Sequence, residues 1–400
     1  MFIGKKILIG VTGGIAAYKT CEVIRELKKN HARCRVLMTK AAQQFVTPLT
    51  FETLSEEPVL CELFPRQRNA GTVHIEIARW AHAVLVCPAT ANFIGKIANG
   101  IADDLLSTTV MATTSRVIIC PAMNKEMYKN PIVQQNIRKL QKLGYTFIGP
   151  GTGNLACGEQ GVGRLADNVT ILDGLKKAIL TSGELKDKRV LVTAGRTEEP
   201  LDPVRVLTNR SSGKMGFALA EVAALRGAEV TLISGPNDLV AFSGVTLKRI
   251  QSAEQMAEQV LKEFDSADIV IMAAAVADYR PAQVAEHKIK KKSACLTLQL
   301  EPTIDILKKI GTQKGKKFLV GFAVETTNEF ENARQKMLDK NLDLIILNNP
   351  LKPGAGFGVD TNAINIMHRS GSVKEIPLDS KRNIAIKIID EIIYRLKELQ

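Results

Sequence analysis

The residues of this chain that could do chemistry collect at the ends of apolar runs. In the first half three such runs end in small polar clusters, Pro88-Ala89-Thr90-Ala91-Asn92, Pro121-Ala122-Met123-Asn124 and Pro150-Gly151-Thr152-Gly153-Asn154. Open α/β sheets bind ligands at strand carboxyl ends, where small residues let the backbone approach; ordinary turn chemistry also places Pro, Gly and Asn there. Three clusters at successive strand ends outline one site where a single one would say little. His74, in an alternating apolar pattern before the third strand, is a candidate acid or base, although a lone histidine is more often structural. Cys157, in Ala156-Cys157-Gly158-Glu-Gln-Gly161-Val-Gly163-Arg164, lies among glycines where a thiol can be exposed. That glycine density fits a lid wrapped around a ligand, or a surface loop with an incidental thiol.

In the second half Asp278 follows the apolar run Ile269–Ala277, a position that can hold magnesium or a nucleotide group. Lys288, Lys290, Lys291 and Lys292 lie in Pro281–Ser293, a Pro-, Lys- and Ala-rich stretch without apolar periodicity that reads as a flexible loop. A loop-borne lysine can neutralise a triphosphate or a developing acyl-phosphate, whereas most such runs are merely solvated. Lys336 and Lys340 are four residues apart, on one helix face opposite Phe330, Ala333 and Met337: phosphate contacts or a solvated face. Ser211-Ser212-Gly213 precedes a helical apolar pattern, so these small residues sit at a helix N-terminus, which attracts anions.

The frame that positions them opens twice. Lys6–Thr12 reads as a strand, Gly13-Gly14 as a turn and Ala16–Lys29 as a helix; Arg189–Ala194 and Gly195 repeat the layout before the helix at Lys214–Arg226. Further first-half strands are expected at Arg35–Thr39, Ala83–Cys87, Arg116–Cys120 and Tyr145–Ile148, separated by segments of helical length. The second half adds strands at Glu229–Ile233, Asp268–Met272, Leu296–Leu300, Phe318–Val320, Leu342–Leu347 and Ala363–His368. Its other helices are expected at Ala253–Phe264, Ile304–Ile310, Glu329–Asn341 and Lys381–Lys397. This alternation predicts an α/β protein of two Rossmann-like domains with helices on both sheet faces. Thr181–Asp187 reads as the linker, with domains 1–189 and 190–400.

The 400 residues suit two domains. Seven scattered cysteines, without a CxxC pair, favour neither a disulfide framework nor a zinc site, and fit a reducing cytoplasm. No secretory leader is expected, because Gly10, Gly13 and Gly14 interrupt the first apolar run. The longest apolar run falls far short of the roughly 18 residues of a membrane span, so a soluble protein is expected. The net charge of +13 is matched by only 5% aromatic residues, and no nucleic-acid motif accompanies it. Phosphorylated small substrates explain the charge as well as a solvated basic surface does. The loop Gly10-Val-Thr-Gly-Gly lacks GxGxxG spacing, and no acidic residue follows the second strand, which argues against nicotinamide; a Walker lysine motif is also absent.

Taken together, the motifs resemble the bifunctional phosphopantothenoylcysteine decarboxylase/phosphopantothenate–cysteine ligase family of bacterial coenzyme A biosynthesis, over essentially the whole chain. The first half carries GGIAAYK (Gly13–Lys19), His74, PATAN (Pro88–Asn92), PAMNKEM (Pro121–Met127) and ACGEQGVGR (Ala156–Arg164). The second carries EPLDPVR (Glu199–Arg205), TNRSSGKMG (Thr208–Gly216), AAAVADYR (Ala273–Arg280), KIKK (Lys288–Lys291), GFAVET (Gly321–Thr326) and ARQKMLDKN (Ala333–Asn341).

The resemblance implies a flavodoxin-like N-terminal flavoprotein domain that decarboxylates 4'-phosphopantothenoylcysteine with FMN. Oxidation of the substrate thiol to a thioaldehyde lets carbon dioxide leave as an enethiolate forms; hydride and a proton then complete the product. It implies FMN contacts from Gly13, Gly14, Ile15, Thr39, Ala89, Thr90 and Asn92, with His74 catalytic, Asn124 on the substrate carboxylate and Cys157 as proton donor. The C-terminal domain would ligate L-cysteine to 4'-phosphopantothenate through an acyl-cytidylate made from CTP. Its implied CTP contacts are Ala273, Ala274, Ala275, Asp278, Lys288, Thr303, Ile304, Asp305, Ile306, Phe322, Lys336 and Lys340, with Asn209 and Lys288 converting the intermediate. Mg2+ would accompany CTP, its ligands unspecified. Family membership further implies decarboxylase trimers joined by ligase dimers. Tyr128, Arg196 and the order Thr303-Ile304-Asp305 depart from the family's usual residues. A flavoprotein decarboxylase whose second domain binds nucleotide without ligating is the alternative reading.

Overall fold

The computed structural model describes residues 2–64, 72–154, 160–290, 296–325, 328–348, 354, 356 and 358–398. The chain divides into two compact units, Met1–Leu180 and Thr181–Gln400.

The first unit runs β1 (Lys6–Val11), a 3-10 turn (Ile15–Lys19), α1 (Thr20–Lys29), β2 (Arg33–Met38), α2 (Pro48–Ser55), α3 (Val73–Trp80) and β3 (Ala83–Ala89). It continues through α4 (Ala91–Ala98), α5 (Leu105–Ala112), β4 (Arg116–Pro121), α6 (Lys125–Lys129), α7 (Pro131–Lys142), β5 (Thr146–Phe147), β6 (Gly151–Asn154), β7 (Gln160–Arg164) and α8 (Asn168–Leu180). β1 to β5 form a parallel sheet in the order β2-β1-β3-β4-β5. Along β1, Ile7 and Ile9 pack on one face with Val23, Ile24, Leu27, Ile171 and Leu175, while Leu8 packs on the other with Phe93, Leu106 and Leu140. Burial on both faces explains why these strands read as continuous apolar runs. Each fully buried Ile or Leu contributes about 1.5–3 kcal/mol.

His74 lies on α3, within one of the segments of helical length between strands; its alternating neighbours belong to that short helix, where Ile77 and Ala78 face the core. The glycine-rich stretch beyond β5 contains an antiparallel pair, β6 with β7. Cys157 lies outside the described residues.

The second unit begins with β8 (Arg189–Ala194), β9 (Glu198–Pro200), β10 (Val206–Thr208), α9 (Lys214–Leu225), β11 (Glu229–Ser234), β12 (Val245–Arg249), α10 (Ala253–Phe264) and β13 (Ile269–Met272). There follow β14 (Tyr279–Pro281), β15 (Leu300–Pro302), α11 (Ile306–Thr312), β16 (Phe318–Val324), α12 (Glu329–Asp339), β17 (Leu344–Asn348), β18 (Thr361–His368), β19 (Val373–Ser380) and α13 (Lys381–Glu398). The sheet order is β12-β11-β8-β13-β16-β17-β18-β19, parallel through β17 and antiparallel in its last two pairings. α9 and α13 cover one face through Leu219, Ile384 and Ile388; α10, α11 and α12 cover the other through Val260, Ile310 and Met337.

The expected linker is part of this unit. Leu185 is buried in its core, and Ser182 and Leu185 donate backbone N–H groups to Leu225 and Arg226, so the division falls at Leu180/Thr181, ahead of Lys188–Arg189. Leu296–Leu300 forms no sheet strand. Only Leu300–Pro302 pairs, antiparallel to Tyr279–Pro281. Of the stretch expected as a flexible loop, Ala285 and Ile289 are hydrogen-bonded to Leu201 and Asp202; residues 291–293 lie outside the described residues. Among the described residues no helix is long and apolar enough to cross a membrane.

Candidate active sites

In the first unit the sheet order reverses between β1 and β3, the switch point at which open α/β sheets bind ligands. Thr12 fastens the two strand ends. Its Oγ1 donates to the Pro88 carbonyl at 2.7 Å and accepts the Thr90 N–H at 3.0 Å. Gly13-Gly14 therefore borders Thr90, whose side chain caps α4 by accepting the Phe93 N–H. Ala122 donates to the Ala89 carbonyl, tying the β4 end to the β3 end, and Met123 donates to the Gly163 carbonyl, tying in β7. Gly163, at φ +142, lies so close that a Cβ would meet the Met123 carbonyl oxygen at 2.3 Å. The first two strand-end clusters and the glycine-rich hairpin thus form one chain of backbone contacts. Asn92 is exposed on α4, and Thr39 accepts the Ala42 N–H just beyond β2. Asn124 caps α6 by accepting the Glu126 N–H. His74 Nδ1 is buried without a hydrogen-bond partner among the described residues.

Beneath these loops lie Cys87 and Cys120, fully buried at equivalent places on neighbouring strands. The hydrogen bond with Cys87, together with burial, pushes the Cys120 thiol well above its ordinary range. Both are packing residues, as their apolar contexts indicate.

The second unit holds a cavity of about 700 Å³ at the carboxyl ends of β13, β16 and β17. Its wall includes Asn209, Ala273, Ala274, Ala275, Asp278, Thr303, Ile304, Asp305, Ile306, Phe322, Lys336 and Lys340. The backbone after β13 is held in place by Thr193 Oγ1, which accepts the Ala274 N–H, the Gly195 carbonyl, which accepts that of Ala275, and Thr197 Oγ1, which accepts that of Ala277. Asn209 Nδ2 donates to the Ala275 and Val276 carbonyls, both at 3.2 Å. Ser211–Gly216 brings the N-terminus of α9 to the same wall, with Gly213 at φ +80 as its cap. Gly216 lets that helix abut β8, since a Cβ there would lie 2.5 Å from Ala194 Cβ.

Two of the cavity's lysines are already ion-paired. Lys336 is paired with Glu325, and Lys340 lies 3.1 Å from Asp305. Phe330, expected on the buried face of α12, is half exposed, whereas Ala333 and Met337 are buried. Lys288 is not among the residues lining the cavity: the hydrogen bonds at Ala285 and Ile289 hold its loop against Leu201 and Asp202. No group of three or more His, Cys, Asp or Glu side chains able to hold a metal occurs among the described residues.

Sequence reasoning missed Asn348, Asn362 and Lys381, which complete the wall. Asn348 Oδ1 is buried without a partner among the described residues. Burial, and then Lys214, lower the pKa of Lys381. The available signal was position: Asn348 ends the apolar run Leu344–Leu347 and Lys381 directly follows a strand.

These sheets define a flavoprotein-type unit joined to a second nucleotide-site α/β unit, and comparison with known proteins agrees. Residues 3–180 match the family model described as flavoprotein, and residues 185–396 match that of the DNA/pantothenate metabolism flavoprotein C-terminal domain. The coenzyme A biosynthesis bifunctional protein CoaBC of Bacillus subtilis (strain 168) is 47% identical over 395 residues, covering 98% of this chain and 97% of the relative. Its namesake in Escherichia coli (strain K12) is 43% identical over 399 residues, covering 99% and 98%. A crystal structure of the C-terminal domain of CoaBC is 42% identical and covers 54% of this chain and 100% of its own, with a TM-score of 0.47. The chain belongs to the family of bifunctional coenzyme A biosynthesis proteins and is a decarboxylase and a ligase in one polypeptide.

Proposed function

We propose that the second unit couples 4'-phosphopantothenate to L-cysteine with CTP, and that the first decarboxylates the resulting 4'-phosphopantothenoylcysteine to 4'-phosphopantetheine with FMN. The observation that carries the ligase half is that residues 273–278 after β13, 303–306 after β15, 322 on β16, and 336 and 340 at α12 converge on one cavity. The substrate carboxylate attacks the α-phosphorus of CTP and expels pyrophosphate; the cysteine amine then attacks the acyl carbon, loses a proton and expels CMP. In this reading the N-terminus of α9 and the two lysines receive phosphate oxygens, which displace Glu325 and Asp305 as their partners. Phe322 offers a face to the base. Asn209 holds the Ala275–Val276 carbonyls and, with Lys288, serves the second step. Magnesium accompanies the triphosphate; with Asp305 beside Lys340, the other cavity carboxylate, Asp278, is its candidate ligand.

The first unit fits FMN on its own terms. The β1/β3 switch point offers backbone N–H groups at Gly13, Gly14 and Ile15, hydroxyls at Thr39 and Thr90, and the Asn92 amide, a neutral donor set suited to a phosphate and a heteroaromatic edge. His74 Nδ1, buried and unpartnered among the described residues, is a polar atom awaiting a ligand. Bound FMN supplies the redox chemistry that makes carbon dioxide loss possible. His74 acts as acid or base, Asn124 orients the substrate carboxylate, and Cys157 delivers the last proton. The resemblance further supports trimers of the first unit joined through dimers of the second, in the cytoplasm.

Mass spectrometry after mixing the protein with 4'-phosphopantothenate, cysteine, CTP and magnesium tests this reading. 4'-Phosphopantetheine, CMP and pyrophosphate are expected. Arrest at phosphopantothenoylcysteine removes the decarboxylase assignment, and absence of any product removes the ligase assignment. Cys157→Ser should retain flavin absorbance and form no product; full turnover sinks the proton-donor role.

A further inference from the structure

Lys288 carries a chemical role in this reading, yet it stands outside the cavity wall on a loop whose neighbours are tied down. Beside it, the Ile289 N–H donates to Asp202 Oδ2 at 3.0 Å, and Arg205 Nη1 donates to the Ile289 carbonyl at 2.9 Å. Arg205 Nη1 also lies 3.0 Å from Asp202 Oδ2. The other carboxylate oxygen, Oδ1, accepts the N–H groups of Val204 and Arg205, both at 2.8 Å, closing the turn between β9 and β10. The Asp202 side chain is 0% exposed. A buried carboxylate is tolerated when its lone pairs are filled, and here each oxygen accepts two donors. One oxygen builds the turn. The other holds the loop.

We propose that Asp202 is a positioning residue for Lys288: its carboxylate latches the lysine's loop to the β9–β10 hairpin and fixes the point from which the Lys288 side chain reaches the acyl-cytidylate. This rests on the assignment of Lys288 to amide formation. The latch acts one residue from Lys288, so it sets the backbone while leaving the long side chain free to move. The N–H of Ile289 above all holds the carboxyl below its usual range, and the latch is accordingly intact at neutral pH. It weakens only as acid protonates Asp202.

Asp202→Asn separates the two oxygens' tasks. The amide oxygen still accepts from Val204 and Arg205, while its NH2 faces the Ile289 N–H, donor against donor. In the full-length enzyme this variant should release pyrophosphate from CTP and 4'-phosphopantothenate at the wild-type rate, and should slow cysteine-dependent amide formation on the order of tenfold or more. Acyl-cytidylate should accumulate, trypsin should cut faster after Lys288, and exchange of the Ile289 amide should accelerate. Asp202→Asn combined with Lys288→Gln should be no slower in amide formation than Lys288→Gln alone. Unchanged Ile289 exchange, or accelerated exchange with amide formation at full rate, overturns the latch. Normal ligation by Lys288→Gln overturns the Lys288 assignment, and the latch with it. Should Asp202→Asn not fold, wild-type exchange decides: an Ile289 amide protected well beyond those of Lys288 and Lys290 supports the latch, and equal exchange overturns it.

Discussion

Lys214 and Lys381 line the same cavity, but only Lys214 is ion-paired there. Lys214 Nζ lies 2.6 Å from Asp360 Oδ1, whereas Lys381 Nζ donates to the neutral Val359 carbonyl at 2.6 Å on a residue 8% exposed. Lys381 is thus a buried cation hydrogen-bonded to an uncharged acceptor, beside a second cation.

Lys381→Met should therefore weaken CTP binding about ten- to a hundredfold, the loss of a hydrogen bond to a charged group worth about 1.5–3 kcal/mol. Because burial and Lys214 lower the pKa of Lys381, its charge disappears as pH rises, earlier than for an ordinary lysine. Wild-type affinity should fall through that alkaline range and the variant's should not. Isothermal titration against pH reads both; parallel profiles would remove Lys381 from the binding site.

Asn348→Leu tests the unpartnered acceptor. Removing a buried unsatisfied group in favour of an apolar one of similar shape is close to neutral or stabilising, so the unfolding midpoint without ligand should hold or rise. Nucleotide affinity should drop about tenfold, or ~1.4 kcal/mol, if Oδ1 accepts from ribose or base. A variant with unaltered affinity leaves Asn348 a packing residue.

Gly163→Ala places a methyl group 2.3 Å from the Met123 carbonyl at a backbone φ of +142. The expected cost is roughly 1–3 kcal/mol of local strain, displacing β7 from the β4 end. Decarboxylation should collapse while ligation stays normal, which two product assays on one preparation would show. Equal losses in both activities would point to general unfolding instead.

Thiol labelling should sort the cysteines. Burial pushes the Cys34 thiol up to about 12, and the hydrogen bond with Cys87, together with burial, holds the Cys120 thiol well above its ordinary range. Neither should react with iodoacetamide at neutral pH until the protein unfolds, because the thiolate is the nucleophile. Cys157 should label first. Rapid native labelling of Cys34 would contradict its burial on β2, where it is 1% exposed.

Much of this was legible in the chain because buried parallel strands write themselves as apolar runs. Ile269–Met272 announces both its type and the place where the ligand end begins, whereas the strand expected at Phe318–Val320 runs on to Val324. The last pairings left weaker marks. Val373–Ser380 has a single buried residue, Ile376, so neither alternation nor a run betrays it. The alternation around His74 could not tell strand from helix, because over so few residues the two periods overlap. Asn348 and Lys381 stand at strand ends, but which strand ends meet at one cavity is set by tertiary pairing, which no spacing records. Asp202 was visible only as part of a motif, since which donors its oxygens accept depends on a loop more than eighty residues away.

The two antiparallel strands that finish the second sheet have a consequence in parity. One returning strand would carry the chain to the end of the sheet remote from the ligand; a second brings it back. β18 thus starts, and β19 stops, where β17 stops, with Thr361 opposite Ser380 and Asn348 opposite Ile364. Asn362 and Lys381 are delivered to the cavity by that even count. A hairpin is the smallest addition that can supply new side chains to this rim while leaving the order of the parallel strands untouched.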